Sequence, residues 1–364
     1  MWDSLKRFDL LFFASAMIIS GVGIMMIYST GLGGQGVNSL WLRQVGYLAV
    51  GLIGMFFFAT LDYRFFKKNS SVIYIFSILL LVGVLLAGLE IRGSRRWFEL
   101  GFINFQPSEF SKLALIVLLA KLLQVKRPNF QRFRYVIYSF GYVFVPVMLI
   151  MLQPDLGTAS VHVAIWIGML FTSPMPRKYL LYLFLLFVIV SAVSWQFFLQ
   201  DYQKDRLHTF LDPTADPLGR GYNAIQSMVA VGSGGFFGHG LARGLQSQLR
   251  FLPERQTDFI FASTVEELGL VGGGLVLLFL FFILWRIMKI MRQAQDSFGV
   301  YLASGIFFLF LTQIVVNIGM NLGLLPVTGI TLPFLSYGGS SMVIIFWLVG
   351  IAQSIARHST PVRF

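Results

Sequence analysis

Long apolar runs, each closed by a short polar segment, follow one another along the whole chain. A helix of about 18 or more apolar residues is long enough to cross a hydrocarbon core of roughly 30 Å. The pattern therefore predicts an all-α integral membrane protein, a bundle of about ten transmembrane helices. The predicted spans are approximately 10–29, 42–61, 72–89, 108–125, 135–152, 157–173, 178–198, 263–288, 301–323 and 339–357.

The amino-acid composition agrees with this pattern. Of the 364 residues, 56% are hydrophobic and 12% are charged, which is too little polar surface to cover a soluble globule of this size. The chain contains no cysteine, so disulfides and thiolate metal sites are excluded. Packing within the bilayer must therefore hold the polar loops in place.

Lysines and arginines collect on one side of the predicted bundle. Because cytoplasmic loops of membrane proteins carry an excess of these residues, this side is predicted to be cytoplasmic, with both termini inside. The net charge of +12 then reflects topology, and we expect no nucleic-acid partner. The residues on this side are Lys6, Arg7, Arg64, Lys67, Lys68, Lys121, Lys126, Arg127, Arg132, Arg134, Arg177, Lys178, Arg286, Lys289, Arg292, Arg357 and Arg363.

Three segments on the opposite side are longer or richer than a simple turn: Ile91–Pro107, Gln200–Ala262 and Leu325–Gly338. Residues 1–364 are predicted to form a single polytopic membrane domain in which 200–262 is the large extracytoplasmic loop between spans seven and eight. A loop of this length in a compact protein is usually functional or disordered, and its apolar and aromatic content argues against disorder. Within it, Tyr222–Met228 is predicted to be a short amphipathic helix resting on the membrane surface.

Asp258 stands where the long loop enters the eighth predicted span, shortly after Glu254, Arg255 and Thr257. A carboxylate at a membrane boundary is partly desolvated, which raises its proton affinity and suits it to act as a general base. The alternative is structural, because Asp is a favoured N-cap for the helix that follows. The spacing alone leaves both interpretations open.

Basic and acidic residues also collect around the first outer segment and the fourth span. Arg92, Arg95 and Arg96 can bind an anion such as a pyrophosphate, or simply contact lipid headgroups. Glu109 and Lys112 have i, i+3 spacing, so they can pair on one helix face. Charged groups within a span are usually functional, but a matched pair can also be a structural salt bridge.

Two further turns carry polar residues. Asp155 is predicted to be the N-cap of the sixth span. The glycine-rich turn at Ser336–Ser341, which includes Ser340, can cradle a phosphate, or can break the helix for geometric reasons only. The histidines His162, His208, His239 and His358 are scattered, so zinc is not indicated. A divalent ion held by carboxylates is an alternative for which the sequence shows no definite set of ligands.

Taken together, four separated segments resemble the SEDS family of shape, elongation, division and sporulation proteins, over nearly the whole chain. These segments are Gly93–Trp97 with Gln106–Glu109, then Gln153–Thr158, Phe251–Phe261 and Pro333–Ser341. Within the family, Gln246–Leu249 followed by Phe251–Glu254 is more similar to the rod-shape (RodA-like) branch than to the division branch. Gln256 occupies a position that is often histidine in the family, so no role is assigned to it.

The resemblance implies a peptidoglycan glycosyltransferase in the bacterial inner membrane that polymerises lipid II, an undecaprenyl-pyrophosphate-linked disaccharide-pentapeptide, on the outer face during cell elongation. Asp258 matches the family's essential acid, and the reaction is expected to invert the donor sugar. The implied partners are a class B penicillin-binding transpeptidase and other elongation-complex proteins. A divalent cation, Mg or Mn, is a candidate cofactor, and no organic cofactor is expected.

Residues expected to bind this substrate are drawn from the polar positions described above. They are Arg95, Arg96, Glu109, Lys112, Asp155, Glu254, Arg255, Thr257 and Ser340. The main alternative is a flippase that carries the same lipid across the bilayer. A flippase should need polar groups along the full depth of the bundle, whereas these residues collect toward the outer side. A third alternative is a noncatalytic scaffold that activates the transpeptidase.

Overall fold

The computed structural model describes residues 8–32, 39–91, 94–100, 103–125, 132–197, 204, 209–217, 219 and 221–358. The predicted cytoplasmic residues Lys6, Arg7, Lys126, Arg127 and Arg363 lie outside this described part, as do Arg92, Gly93, His208 and part of the predicted loop 200–262. The helices are α1 (Leu10–Gly31), α2 (Leu40–Thr60), α3 (Arg64–Ala87), α4 (Pro107–Val125), α5 (Phe133–Met151), α6 (Leu156–Phe171), α7 (Lys178–Phe197), α8 (Tyr222–Ser233), α9 (Leu245–Gln248), α10 (Ile260–Gln293), α11 (Ser297–Asn321) and α12 (Gly339–Arg357).

Each predicted span coincides with one of these helices, which confirms the helical, multi-pass architecture. Seven helices in the described part of the chain, α1, α2, α3, α5, α10, α11 and α12, are long and apolar enough to cross a membrane. α6 is apolar but shorter, with 16 residues, and the total of ten spans stays a prediction. The largest error in the bounds is at α3, which begins at Arg64 rather than near residue 72. Its first turns carry Lys67 and Lys68, so apolar content alone placed the start too late.

The centre of the bundle is formed by α4, α11 and α12. α12 packs along α2, α10 packs along α1 and α11, and α11 also packs along α4 and α6. Phe334, in the turn before α12, is buried edge-on between Phe310 and Phe346, with ring centroids 5.5 Å away on each side. The glycine-rich turn is therefore anchored in the core of the bundle.

A small antiparallel sheet, which the apolar pattern did not predict, closes the first outer segment. Strands β1 (Leu89–Ile91), β2 (Ser94–Leu100) and β3 (Ile103–Phe105) pair in sequential order. Trp97 lies opposite Leu89, and Phe98 lies opposite Phe105. The sheet leads directly into α4 and fixes the direction in which Arg95 and Arg96 leave the backbone.

The two ends of the bundle differ in chemistry. The basic end carries Arg64, Arg286, Lys289 and Arg357, and there Arg286 pairs with Asp9 at 2.6 Å. The motif end carries the sheet and the segments around Arg96, Asp155, Asp258 and Ser340. Because successive helices are antiparallel, all four motif segments reach the same end.

α10 is interrupted near the motif end, and the chain after α8 fills the interruption. Gly269 has non-helical backbone angles, φ 69° and ψ −171°. The carbonyls of Glu266 and Glu267 accept hydrogen bonds from the amides of His239 (3.1 Å) and Gly240 (3.0 Å). The amides of Leu270 and Val271 in turn donate to the carbonyls of Gly235 (2.9 Å) and Phe236 (3.1 Å). This exchange satisfies the backbone groups that the break would leave without partners.

α8 confirms the helix predicted at Tyr222–Met228 and extends it to Ser233. It does not simply rest on a surface, because it packs against α10 and α11. Its Ser227 hydroxyl donates to the carbonyl of Asn321 at 2.9 Å, and Ala230 is buried in a small cluster with Leu252 and Phe259.

Candidate functional site

The turn that carries Asp258 is held by its backbone. The side-chain amides of Asn317 and Asn321, on α11, both donate to the carbonyl of Asp258 at 3.0 Å. The hydroxyl of Ser336 donates to the carbonyl of Thr257 at 2.7 Å, and the amide of Tyr337 donates to the carbonyl of Gln256 at 2.8 Å. The backbone is thus fixed from two sides before any substrate binds.

The structure places Asp258 just outside the next helix. α10 begins at Ile260 with Phe259 in the N-cap position, so Asp258 precedes the cap by one residue. The side chain is half-buried, and a Cβ added to Gly329 would lie 3.5 Å from Asp258 Oδ2. This placement does not favour the capping interpretation, and it brings the carboxylate close to the segment between α11 and α12.

The other predicted residues of this turn support its shape. The guanidinium of Arg255 donates through Nε to the carbonyl of Thr30 at 3.1 Å, which joins the turn to the end of α1. Burial lowers the pKa of Arg255, and Arg250 lowers it further, although an arginine remains charged at neutral pH. The hydroxyl of Thr257 lies 3.2 Å from a carboxylate oxygen of Glu254, on the exposed side of the turn.

Arg96 binds another predicted motif. Its Nε donates to the carbonyl of Gln153 and one terminal nitrogen donates to the carbonyl of Pro154, both at 2.7 Å, while the other lies 3.7 Å from Asp155 Oδ2. Asp155 accepts from the amide and the hydroxyl of Thr158, each at 3.0 Å, which confirms it as the N-cap of α6. Arg95 forms an exposed pair with Glu90 at 3.3 Å.

The adjacent arginines therefore make a matched pair for a stability test. Arg96→Ala is expected to lower the free energy of unfolding by about 2 kcal/mol, because it removes charged donors from two backbone carbonyls. Arg95→Ala is expected to change it by less than about 1 kcal/mol, as is typical of exposed ion pairs. Chemical unfolding in detergent micelles measures both values. Equal effects from the two variants would contradict the structural role of Arg96.

Glu109 and Lys112 form the pair that their spacing predicted, with 2.7 Å between Lys112 Nζ and Glu109 Oε1. Both side chains are buried in the first turns of α4. Next to them, His162 on α6 lies 2.8 Å from the Ser111 hydroxyl through Nε2 and 2.8 Å from the Thr158 carbonyl through Nδ1. The contact between Ser111 and His162 ties α4 to α6.

The roles of this buried pair can be separated by single and combined variants. Glu109→Gln or Lys112→Met alone is expected to cost about 3–5 kcal/mol, because each leaves one buried charge without its counter-ion. The combined variant should recover much of that stability, since no charge remains buried. If Lys112 binds substrate, the combined variant will be folded, by thermal unfolding and size-exclusion chromatography, but inactive. Wild-type activity in the combined variant would show that the pair is structural only.

Ser340 joins the glycine-rich turn to the sheet. Its hydroxyl donates to the carbonyl of Asn104 at 2.9 Å and accepts from the amide of Gln106 at 2.8 Å. Two amides of the turn are also used within the protein, because Tyr337 donates to Gln256 and Gly338 donates to the side chain of Gln44 at 3.2 Å. The predicted phosphate cradle therefore cannot use these two amides without losing those contacts.

The four motif segments form one connected structure. β2 contacts the Gln153 turn through Arg96, and β3 and Gln106, the residue before α4, contact the glycine-rich turn through Ser340. The start of α6 approaches residue 328 so closely that a Cβ on Gly157 would lie 2.5 Å from the carbonyl oxygen of Thr328. The glycine-rich turn then contacts the Asp258 turn through Ser336. Contacts between these four segments thus join positions up to 236 residues apart in sequence at one end of the bundle.

Several residues of this network were not singled out from the sequence. Gln44 donates to the carbonyl of Ser336 at 3.1 Å, and Asn317 and Asn321 hold Asp258. The signal was available, because buried amides on a membrane-spanning helix need partners.

Tyr337 in the glycine-rich turn lies beside Tyr47 and Arg43. Burial is the main cause that raises the pKa of Tyr337 above the usual value of about 10. Its hydroxyl is therefore protonated at neutral pH.

A second missed feature is a pair of buried carboxylates. Glu266 accepts from the amides of Gln246 (2.7 Å) and Ser247 (3.1 Å) and from the Ser247 hydroxyl. Glu267 accepts from the Ser29 hydroxyl, the amide of Ala242 (3.1 Å) and the side chain of Gln248 (3.1 Å). Two adjacent acids inside a predicted span were the available signal, since such residues rarely lie there without a role.

No group of three or more histidine, aspartate or glutamate side chains able to hold a metal ion is found in the part of the chain that the structure describes. At the Asp258 turn, the nearby acid is Glu254, which already lies against Thr257. The histidine and carboxylate side chains that the structure describes therefore do not form a cage for a divalent ion.

Comparisons with known proteins agree with this geometry. Residues 7–361 match the FtsW/RodA/SpoVE family model, described as cell cycle protein. Stage V sporulation protein E of Bacillus subtilis is 39% identical over 96% of this chain and 97% of its own. Peptidoglycan glycosyltransferase MrdB of Escherichia coli is 39% identical over 87% of this chain and 85% of its own.

Solved structures share the same fold. A chain from a study of how a peptidoglycan synthase complex coordinates polymerization and crosslinking superposes with a TM-score of 0.81 at 34% identity, covering 96% of this chain and 98% of that one. The rod shape determining protein RodA of Thermus thermophilus gives a TM-score of 0.71 at 29% identity, with 97% of each chain covered. The chain therefore belongs to the FtsW/RodA/SpoVE family of cell cycle proteins, the SEDS family that its motifs indicated.

Proposed function

We propose that this protein is a peptidoglycan glycosyltransferase that polymerises lipid II into glycan strands during cell elongation. The observation that carries the proposal is the convergence of four motif segments on the Asp258 turn at one end of a membrane bundle. Two relatives, which are 39% and 33% identical to this chain, are named peptidoglycan glycosyltransferase MrdB and peptidoglycan glycosyltransferase RodA. The rod-shape assignment also rests on the similarity of residues 246–254 to that branch.

In the proposed reaction, the carboxylate of Asp258 accepts the proton of the acceptor sugar's 4-hydroxyl as that oxygen attacks the anomeric carbon of the donor. The new glycosidic bond forms on the face opposite the leaving pyrophosphate, so the donor centre inverts. A hydrolase that cleaves a sugar ether needs a second carboxyl to protonate its leaving group, whereas a pyrophosphate leaves once its charge is neutralised. One positioned base is therefore sufficient.

Cations at the motif end would stabilise the departing pyrophosphate. Arg95 is exposed and able to reorient, because its pair with Glu90 is open to water. Lys112 is buried beside Glu109. Arg96 and Arg255 are already bound to backbone carbonyls, so they contribute mainly by holding the surrounding turns and by their positive charge. The remaining predicted residues would contribute to binding by holding the turns around these cations in place. They are Glu109, Asp155, Glu254, Thr257 and Ser340.

A divalent cation, Mg or Mn, would have to be held mainly by the pyrophosphate, because the described residues do not provide a metal cage. No step of the proposed reaction passes through it.

We further propose that the motif end faces outside, with both termini in the cytoplasm. The arrangement of Arg64, Arg286, Lys289 and Arg357 at the opposite end supports this orientation through the positive-inside rule.

The proposed partner is a class B penicillin-binding transpeptidase, within a larger elongation complex. The structural match to a chain of a peptidoglycan synthase complex supports this assignment. Crosslinking of new strands beside the polymerase would require such an enzyme.

The test is polymerisation of purified lipid II by the protein together with its transpeptidase partner, read out by gel separation of the glycan products. We expect long polymer from the wild-type complex. Transport of fluorescent lipid II across proteoliposomes, measured in parallel, addresses the flippase alternative. Transport without polymer would overturn the proposal.

A further inference from the structure

Residues 222–242 combine features that are unusual for a water-exposed loop. None of the 21 residues is Asp, Glu, Lys or Arg, and the segment includes the adjacent aromatic residues Phe236 and Phe237. Apolar stretches of this kind that are too short to span a bilayer are often re-entrant or interfacial. The neighbouring segments do carry charge, at Asp212 and Asp216 before it and Arg243 and Arg250 after it.

The segment packs directly onto a membrane-spanning helix through its backbone. The four hydrogen bonds that bridge the break in α10 bring residues 235–240 level with residues 266–271. Gly238 and Gly269 both have positive φ, at 76° and 69°, and their backbones touch. A Cβ on Gly269 would lie 2.4 Å from the amide nitrogen of Gly238, so only glycine permits this approach.

Two independent helices give the depth of this contact. Ser29 on α1 contacts Glu267 on α10 at the motif end, and Asp9 pairs with Arg286 at the basic end. These contacts are 20 residues apart along α1 and 19 along α10, or about 28–30 Å of helix. This is the thickness of a hydrocarbon core, roughly 30 Å. Gly269 lies two residues further along α10 than Glu267, so the loop meets it at or slightly inside the hydrocarbon boundary.

Large apolar side chains dominate the exposed surface at this depth, where His239 is the exposed polar neighbour of the two phenylalanines. Phe236 is 71% exposed and Phe237 is 84% exposed. They adjoin Leu270 and Val271, which begin the outward-facing apolar side of α10 that continues through Leu275 and Leu278. Because α10 crosses the membrane, that side contacts lipid, and the two aromatic residues extend the same surface.

We propose that residues 222–242 form a re-entrant membrane segment whose tip, Phe236 and Phe237, contacts the acyl chains of the lipid leaflet at the motif end. α8 descends along α10 and α11, the glycine turn reverses the chain within the leaflet, and residues 240–242 return to the surface. The segment is therefore a lipid-binding surface rather than part of a soluble loop. This inference does not depend on the proposed enzymatic activity.

The absence of cysteine from the chain allows a direct test with single nitroxide labels. Phe237→Cys probes the tip, Leu278→Cys provides a lipid-facing reference, and Ala215→Cys provides an exposed reference outside the segment. Each variant is labelled, reconstituted in vesicles of phosphatidylethanolamine and phosphatidylglycerol, and measured by power saturation with oxygen and with a water-soluble nickel chelate. For each label we compare the ratio of oxygen accessibility to nickel accessibility. We expect this ratio at position 237 to be similar to that at position 278 and several-fold higher than that at position 215.

Two results would overturn the inference. A label at 237 that is as accessible to nickel as the one at 215 would place the tip in water. A label shielded from both reagents would show that protein, such as a second copy of this chain, covers the tip. Phe236→Cys repeats the test at the neighbouring exposed residue, and thermal unfolding before labelling confirms that each variant retains the native fold.

Discussion

Asp258→Asn is expected to abolish glycan polymerisation while leaving the protein folded. The substitution keeps the shape of the side chain but removes its ability to accept a proton, which is typically worth about 10²–10⁴-fold in rate. The turn itself should persist, because Asn317, Asn321 and Ser336 hold backbone carbonyls rather than the carboxylate. The measurement is the initial rate of polymer formation from lipid II by the complex with the transpeptidase.

Asp212→Asn is the matched control, because Asp212 is an exposed carboxylate on the same side of the membrane, and its side chain caps a local turn by accepting from the amide and the hydroxyl of Thr214. This variant should polymerise at the wild-type rate. Binding of lipid II to both variants, measured by thermal stabilisation, separates loss of chemistry from loss of affinity. Polymerisation by Asp258→Asn at more than about a tenth of the wild-type rate would be incompatible with its role as general base.

The apolar pattern was sufficient to predict the helices because lipid requires each spanning segment to satisfy its own backbone and expose apolar side chains. Local spacing was also sufficient for the Glu109–Lys112 pair and for the Asp155 cap, since both involve residues within three positions of each other. These features follow from helix geometry and need no knowledge of the remaining chain.

Long-range contacts could not be predicted in this way. Arg96 resembled a free phosphate ligand, but its donors bind carbonyls 57 and 58 residues further along the chain. The break at Gly269 was concealed because Gly272, Gly273 and Gly274 follow it in an otherwise apolar run, and its partner segment ends about 30 residues earlier. The sheet was missed because its strands are three to seven residues long.

The two acids that anchor the chain before Asp258 should have large effects on stability. Glu266 accepts from the backbone amides of Gln246 and Ser247, one on each carboxylate oxygen. Glu266→Gln must therefore place its NH₂ group against a backbone N–H in either orientation. Each buried donor left without an acceptor costs about 1–3 kcal/mol, so we expect a loss of roughly 2–4 kcal/mol. Thermal or chemical unfolding in detergent measures it.

Two control variants accompany this test. Glu99→Gln, the same change at an exposed position of β2, should leave stability nearly unchanged. Ser247→Ala should cost about 1 kcal/mol, because Glu266 keeps both of its backbone amide donors.

Combining Glu266→Gln with Glu267→Gln also disturbs the contacts to Ala242 and Gln248, and is expected to release residues 240–250 from α10. Limited proteolysis within that segment reports its release. α9 lies ten residues before Asp258, and the amide of Leu252 donates to the carbonyl of Gln246, so released protein should also lose polymerisation. Full protection from protease in the combined variant would show that the backbone contacts of the α10 break alone hold this segment.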